Sequence, residues 1–126
     1  MHAGNSLSIS IIIIGYNTKK TLIKLLSSIN NQALSKNHSI EIIYVDDGSV
    51  DGSFEAFQKF NLKFHKKNIK LVKNLGRVAA TQAGVDIAVG TWCCFVRSNI
   101  ILDKNAIGEF IYSITTQKAV AFMGSI

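Results

Sequence analysis

Apolar positions recur along this chain with two periods. Residues 7–14 and 40–45 are short runs dominated by isoleucine and valine, too brief for helices and rich in the β-branched side chains that pack well on a pleated sheet. Residues 69–73, 92–96 and 119–123 are weaker runs of similar length, so five strands are expected. Between the strands the period changes to three or four. Leu22, Leu25, Leu26 and Ile29 form one helical stripe, and Ile107, Phe110, Ile111 and Ile114 form another. Phe54, Phe57 and Phe60 predict a further helix after Asp51, and Ala80, Ala83 and Ile87 a fourth after Gly76. Strands that alternate with helices need crossover connections, and each crossover lays its helix on a face of the sheet. The pattern therefore predicts a doubly wound α/β fold, a mostly parallel sheet with helices on both faces.

Composition narrows this picture. The 126 residues are 48% apolar and 17% charged, the balance of one packed domain spanning 1–126. No proline, linker or repeat divides it, and because the chain stops soon after its last predicted strand we expect it to be truncated relative to a larger protein. The apolar run through Ile11 and Ile14 falls far short of the roughly 20 residues that span a bilayer. No signal-peptide pattern opens the chain, so a cytoplasmic location is expected. Cys93 and Cys94 are adjacent on a predicted strand, where their side chains point to opposite faces, and both read as reduced packing residues. Much of the formal charge of +6 lies in Lys59, Lys63, Lys66, Lys67, Lys70, Lys73 and Arg77. That cluster reads as a solvated helix end and loop, with phosphate or the inner face of an anionic membrane as the partners it leaves open. No aromatic stacking motif is interleaved with it, so nucleic acid is not expected.

In an open parallel sheet, ligands gather where strands end and helices begin, because the unpaired N–H groups of helix N-termini converge there. The segments at those positions are 15–18, 46–52, 74–77 and 97–99. The second holds Asp46 and Asp47, a carboxylate pair able to accept hydrogen bonds from a base or a ribose. Gly48 and Gly52 permit backbone conformations closed to other residues, and Ser49 or Asp51 is placed to cap the next helix. The same residues also read as a polar turn with no ligand. Neither a Gly-x-Gly-x-x-Gly nor a Gly-Lys-Ser/Thr phosphate loop is present. His2, His38 and His65 lie in scattered polar segments without metal-ligand spacing or a nucleophile beside them.

Ile11-Ile12-Ile13-Ile14-Gly15-Tyr16-Asn17 and Glu41-Ile42-Ile43-Tyr44-Val45-Asp46-Asp47-Gly48-Ser49-Val50-Asp51-Gly52 closely resemble the opening of family-2 glycosyltransferases. Asn74-Leu75-Gly76, the alanines from Ala79 to Ala83, and Ala88-Val89-Gly90-Thr91-Trp92 continue the resemblance in order over nearly the whole chain. It implies the nucleotide-sugar-binding half of a Rossmann-like GT-A fold, with a nucleoside-diphosphate sugar, a UDP-sugar first among them, lying across the four loops. Tyr16, Asn17, Asp46, Asp47 and Gly48 then fall beside base and ribose, while Asn74, Arg77, Arg97, Ser98 and Asn99 line the rest of the crevice. Arg77 can neutralise the diphosphate and pair with its oxygens through the guanidinium fork.

One block departs from the family. Where Phe95-Val96-Arg97-Ser98-Asn99 stands, the family usually carries an Asp-x-Asp motif that holds Mg²⁺ or Mn²⁺ against the diphosphate. Arg97 repels a cation and Asn99 offers only a neutral oxygen, so no metal ligand is assigned. The acceptor-binding half, with its general base, lies beyond the corresponding point in the family, and no catalytic base is assigned here. Two functions follow as expectations: a glycosyltransferase domain that transfers sugar once completed by an acceptor half or a partner chain, and a degenerate, non-catalytic nucleotide-sugar-binding or assembly module on the same fold.

Overall fold

The computed structural model describes residues 6–35 and 37–116. Strands β1 (Ser8–Gly15), β2 (Ser39–Asp46), β3 (His65–Lys70) and β4 (Trp92–Arg97) alternate with helices α1 (Lys19–Asn30), α2 (Ser53–Lys59), α3 (Arg77–Ile87) and α4 (Ala106–Thr115). The strands form one sheet in the order β3-β2-β1-β4, and every pairing is parallel. The expected strand at 119–123 lies outside the described residues.

Alternation along the strands sorts the side chains to two faces. Ile9, Ile11, Ile13, Ile42 and Tyr44 turn to the first face and pack with Leu22, Leu25, Leu26 and Ile29 of α1, Phe57 of α2, and Ile107, Phe110 and Ile111 of α4. Ile12, Ile43 and Val45 turn to the other and meet Ala80, Ala83 and Ile87 of α3. Burying each of these isoleucines, leucines or valines contributes roughly 1.5–3 kcal/mol. The chain steps outward from β1 to β2 to β3, then returns past them to place β4 on the far side of β1. A right-handed crossover in the return direction must use the opposite face, which is why α3 stands apart from α1 and α2. Cys93 and Cys94 form no disulfide, and the alternation sends Cys94 to the first face and Cys93 to the second.

The third strand is displaced from its expected place at 69–73 and occupies His65–Lys70. As an edge strand it pairs, among the described residues, on one side only, and its lysines have specific partners. The Lys66 ammonium donates to the carbonyls of Phe57, Gln58 and Phe60 at 3.0, 2.8 and 2.7 Å, closing the C-terminal end of α2, and lies 5.3 Å from the Phe57 ring centroid. On the opposite face Lys67 donates to the Ile87 carbonyl and pairs with Glu41 at 2.9 Å. The reading of the whole basic cluster as solvated is therefore corrected for these two residues, which tie the strand to α2 and α3.

Glu41 is buried near the start of β2 and anchors the sheet's amino edge. Its Oε2 accepts from the Ser10 hydroxyl at 2.6 Å and from the Val89 amide at 2.8 Å, and Ser10 Oγ in turn accepts from the Gly90 amide at 2.8 Å. The backbone after α3 presses so closely on β1 that a Cβ on Gly90 would stand 2.6 Å from the Ser10 nitrogen. That contact gives the Ala88-Val89-Gly90 block a packing reason.

Candidate functional site

All four strands end at one edge of the sheet, with Gly15 opposite Asp46, Asp46 opposite Lys70, and Ile14 opposite Arg97. The loops that follow are fastened to one another in the order of the strands beneath them. Between β2 and β3, Asp47 accepts from the backbone amides of Leu75 at 2.8 Å and Gly76 at 3.2 Å, the two residues that lead into α3. Gly48 makes this approach feasible: its φ is +89°, and a Cβ there would lie 2.7 Å from the backbone of Lys73 and Asn74. Between β1 and β2, the Asn17 amide donates to Ser49 Oγ, Asn17 Oδ1 accepts from the Val50 amide, both at 2.8 Å, and Asp51 Oδ2 accepts from the Lys19 amide at 3.1 Å. Asn17 achieves this with φ of 55°, a left-handed conformation that asparagine tolerates better than most residues. Between β1 and β4, the hydroxyls of Thr18 and Ser98 share a hydrogen bond of 2.7 Å.

The electrostatics of this edge follow from those ties. Asp46 is fully buried, with Oδ2 accepting from the Tyr44 hydroxyl at 2.8 Å and Oδ1 from the Ser49 amide at 2.6 Å. Burial, with the Asp46 carboxylate beside it, pushes the Tyr44 hydroxyl far above the usual tyrosine range, so it stays a proton donor. Burial raises the Asp51 carboxyl, but hydrogen bonds from the Ser53 hydroxyl and from the amides of Lys19 and Ser53 outweigh it and hold the group below the usual aspartate range. Arg77 and Arg97 are exposed and have no hydrogen-bond or ion-pair partner among the described residues.

The expected site residues thus separate into two kinds. Asp46 and Asp47 are buried and direct their carboxylates at neighbouring backbone and at Tyr44, while Tyr16, Asn17, Asn74, Arg77, Arg97 and Asn99 are exposed around them. Gly48 and Ser98 lie beneath this rim as close-packed and hydrogen-bonded supports. Arg77 sits not in the strand-end loop proper but at the first position of α3. The helix that Ser49 or Asp51 was expected to cap has Gly52 at that position, with Asp51 Oδ1 accepting from the Ser53 amide at 3.0 Å. Asp103 precedes α4 by a turn, and its carbonyl accepts from Ala106 at 3.0 Å. Thr18 is the residue that sequence reasoning left out. Its place before an amphipathic helix marks a helix start, but its partner lies 80 residues away.

The model of the family described as Glycosyl transferase family 2 matches residues 10–126. The chain belongs to glycosyltransferase family 2. Among curated proteins, this family-2 chain is 30% identical over 118 residues to glycosyltransferase GlyG of Streptococcus pneumoniae, covering 93% of the chain and 38% of GlyG. It is 34% identical over 87 residues to cholesterol galactosyltransferase of Borreliella burgdorferi, covering 69% of the chain and 24% of that protein. Among solved structures it is similar to S. aureus TarS 1–349 in complex with UDP-GlcNAc, with a TM-score of 0.78 and 26% identity over 87% of the chain and 32% of TarS 1–349. The family-2 chain therefore spans between about a quarter and two fifths of the length of these relatives. The four-stranded parallel sheet and its helices are the GT-A architecture that the resemblance implied.

Proposed function

We propose that this chain is the donor-binding half of a glycosyltransferase, taking a nucleoside-diphosphate sugar, a UDP-sugar first among them, across the carboxyl edge of its sheet. The sugar passes to an acceptor held by a further segment or a partner chain. The observation that carries this reading is the fastening of all four strand-end loops into one rim, with Tyr16, Asn17, Asn74, Arg77, Arg97 and Asn99 exposed on it. The likeness to TarS in complex with UDP-GlcNAc supports the nucleotide. On this reading Asp46 and Asp47 shape the rim through Ser49, Leu75 and Gly76, and Gly48 and Ser98 hold the loops at their closest approaches. A cytoplasmic setting at the inner face of a membrane fits the exposed Lys59, Lys63 and Lys73; no helix among the described residues is long and apolar enough to cross a membrane.

The residues at this edge do not fit the divalent cation that the family resemblance implies. Mg²⁺ and Mn²⁺ prefer anionic oxygens, and the oxygens of Asp46 and Asp47 are engaged by Tyr44, Ser49, Leu75 and Gly76. Arg97 stands where a carboxylate would be needed, and no group of three His, Cys, Asp or Glu among the described residues is placed to hold a metal. The same misfit favours, as a second reading, a module that binds the nucleotide sugar without transferring it.

Calorimetric titration of the full-length protein with UDP tests the proposal. UDP should bind, and Asp47→Ala, by releasing the segment before α3, should weaken binding about fivefold or more. Equal affinity in two proteins with the same cooperative unfolding would remove Asp47 from the site. Absence of binding to UDP, UDP-GlcNAc and GDP-mannose alike would leave only a structural assembly module.

A further inference from the structure

The fold treats the two signs of charge at the carboxyl edge differently. Asp46 and Asp47 are buried and use their carboxylate oxygens on hydroxyl and backbone donors, while the exposed Asp51 accepts from the Lys19 and Ser53 amides. Arg97, by contrast, ends β4 opposite Ile14 of β1, at the point where the strand order reverses, exposed and without a partner among the described residues. Its neighbour Ser98 is fixed by Thr18 at the start of α1, so the backbone that carries Arg97 is held in place. Arg77 opens α3 on the same edge, and the amide ends of α1 and α3 add partial positive charge there. An exposed, unpartnered guanidinium at this point attracts an anion and repels a free dication.

We propose that Arg97 binds the diphosphate of the nucleotide directly, in place of a divalent cation, and that nucleotide binding by this protein is therefore independent of metal. The inference rests on the nucleotide-sugar reading above. A guanidinium suits the task because it stays charged at any physiological pH and its planar fork matches two phosphate oxygens at once.

Calorimetry with UDP and with uridine, each in EDTA and in Mn²⁺, separates the possibilities. UDP should bind in EDTA, and Mn²⁺ should change its affinity by less than about twofold. Arg97→Ala should weaken UDP about tenfold or more while leaving uridine within about twofold, and Arg97→Lys, which keeps the charge but not the fork, should fall between. Arg97 is exposed, so both variants should unfold as the wild type does. UDP binding that requires Mn²⁺, unchanged UDP affinity in Arg97→Ala, or equal losses for UDP and uridine would each overturn the proposal. Failure of the unmodified protein to bind UDP, UDP-GlcNAc or GDP-mannose under either condition would overturn the nucleotide reading itself, whatever Arg97 does.

Discussion

At the amino edge of the sheet, Glu41 meets Lys67, the Ser10 hydroxyl and the Val89 amide, and the charges there are paired. At the carboxyl edge, three aspartates are satisfied by neutral donors, and Arg77 and Arg97 beside them are left without partners among the described residues. Both edges use buried carboxylates, yet the first arrangement closes on itself and the second leaves two arginine side chains facing solvent with no partner among the described residues. A buried carboxylate is therefore no sign of a site on its own; what distinguishes the proposed site is the charge left without a partner beside its carboxylates.

The largest effect expected from breaking this contrast is at Gly90. A Cβ there would meet Ile9 and Ser10 backbone at 2.7 and 2.6 Å, and backbone cannot move aside as the end of a side chain can. Gly90→Ala should lower stability by about 3 kcal/mol, read as a shift in the urea midpoint, while the folded variant keeps its UDP affinity. A loss of affinity with stability intact would mean that the two edges are not separable.

A smaller effect is expected at Glu41. Burial raises its carboxyl, but the bonds from Ser10 and Val89 and the Lys67 ammonium outweigh that and hold it below its ordinary value of 4.5. Near that pH the unfolded chain therefore binds more protons than the folded one. The stabilisation is present in full above about 4.5 and drains away as pH falls through the lower folded value. Glu41→Gln should lower stability at neutral pH by about 2 kcal/mol and flatten the acid limb of the stability curve. An acid limb unchanged by the substitution would show that Glu41 does not set the acid sensitivity, and would turn attention to Asp51, whose carboxyl is also held below its usual range.

Much of the fold was legible before the structure, and the rest was not for a definite reason. The isoleucine runs and helical stripes of β1, β2, α1 and α4 carry strong periods, and each element formed where expected. β3 was misplaced because its segment, His65-Lys66-Lys67-Asn68-Ile69-Lys70, carries almost no apolar signal; its lysines are satisfied by carbonyls of α2 and α3 and by Glu41, partners that only the tertiary fold supplies. The edge at which we propose the ligand was chosen from strand ends alone, and the four strands do end there together. The division of labour within it could not, since Asp47 reaches residues 28 and 29 positions away and no local pattern distinguishes a carboxylate that holds backbone from one that awaits a ligand.

The smallest effect expected is at the tie between Thr18 and Ser98, and it sharpens the comparison most directly because it belongs to the carboxyl edge but carries no charge. Thr18→Val keeps the shape of the side chain and removes its hydroxyl, leaving Ser98 Oγ, in a residue only 5% exposed, without that partner. A neutral hydrogen bond contributes about 1 kcal/mol net, so the variant should lose about that much stability. If the tie also steadies the backbone that carries Arg97, UDP affinity should fall by about twofold to threefold while uridine affinity holds. Ser98→Ala removes the other half of the same bond, and the double variant should lose no more than about 0.5 kcal/mol beyond either single one, the non-additivity of two changes that break one interaction. Additive losses would show that the two hydroxyls act separately, and an unchanged UDP affinity in all three variants would show that Arg97 needs no help from β1 to hold its place.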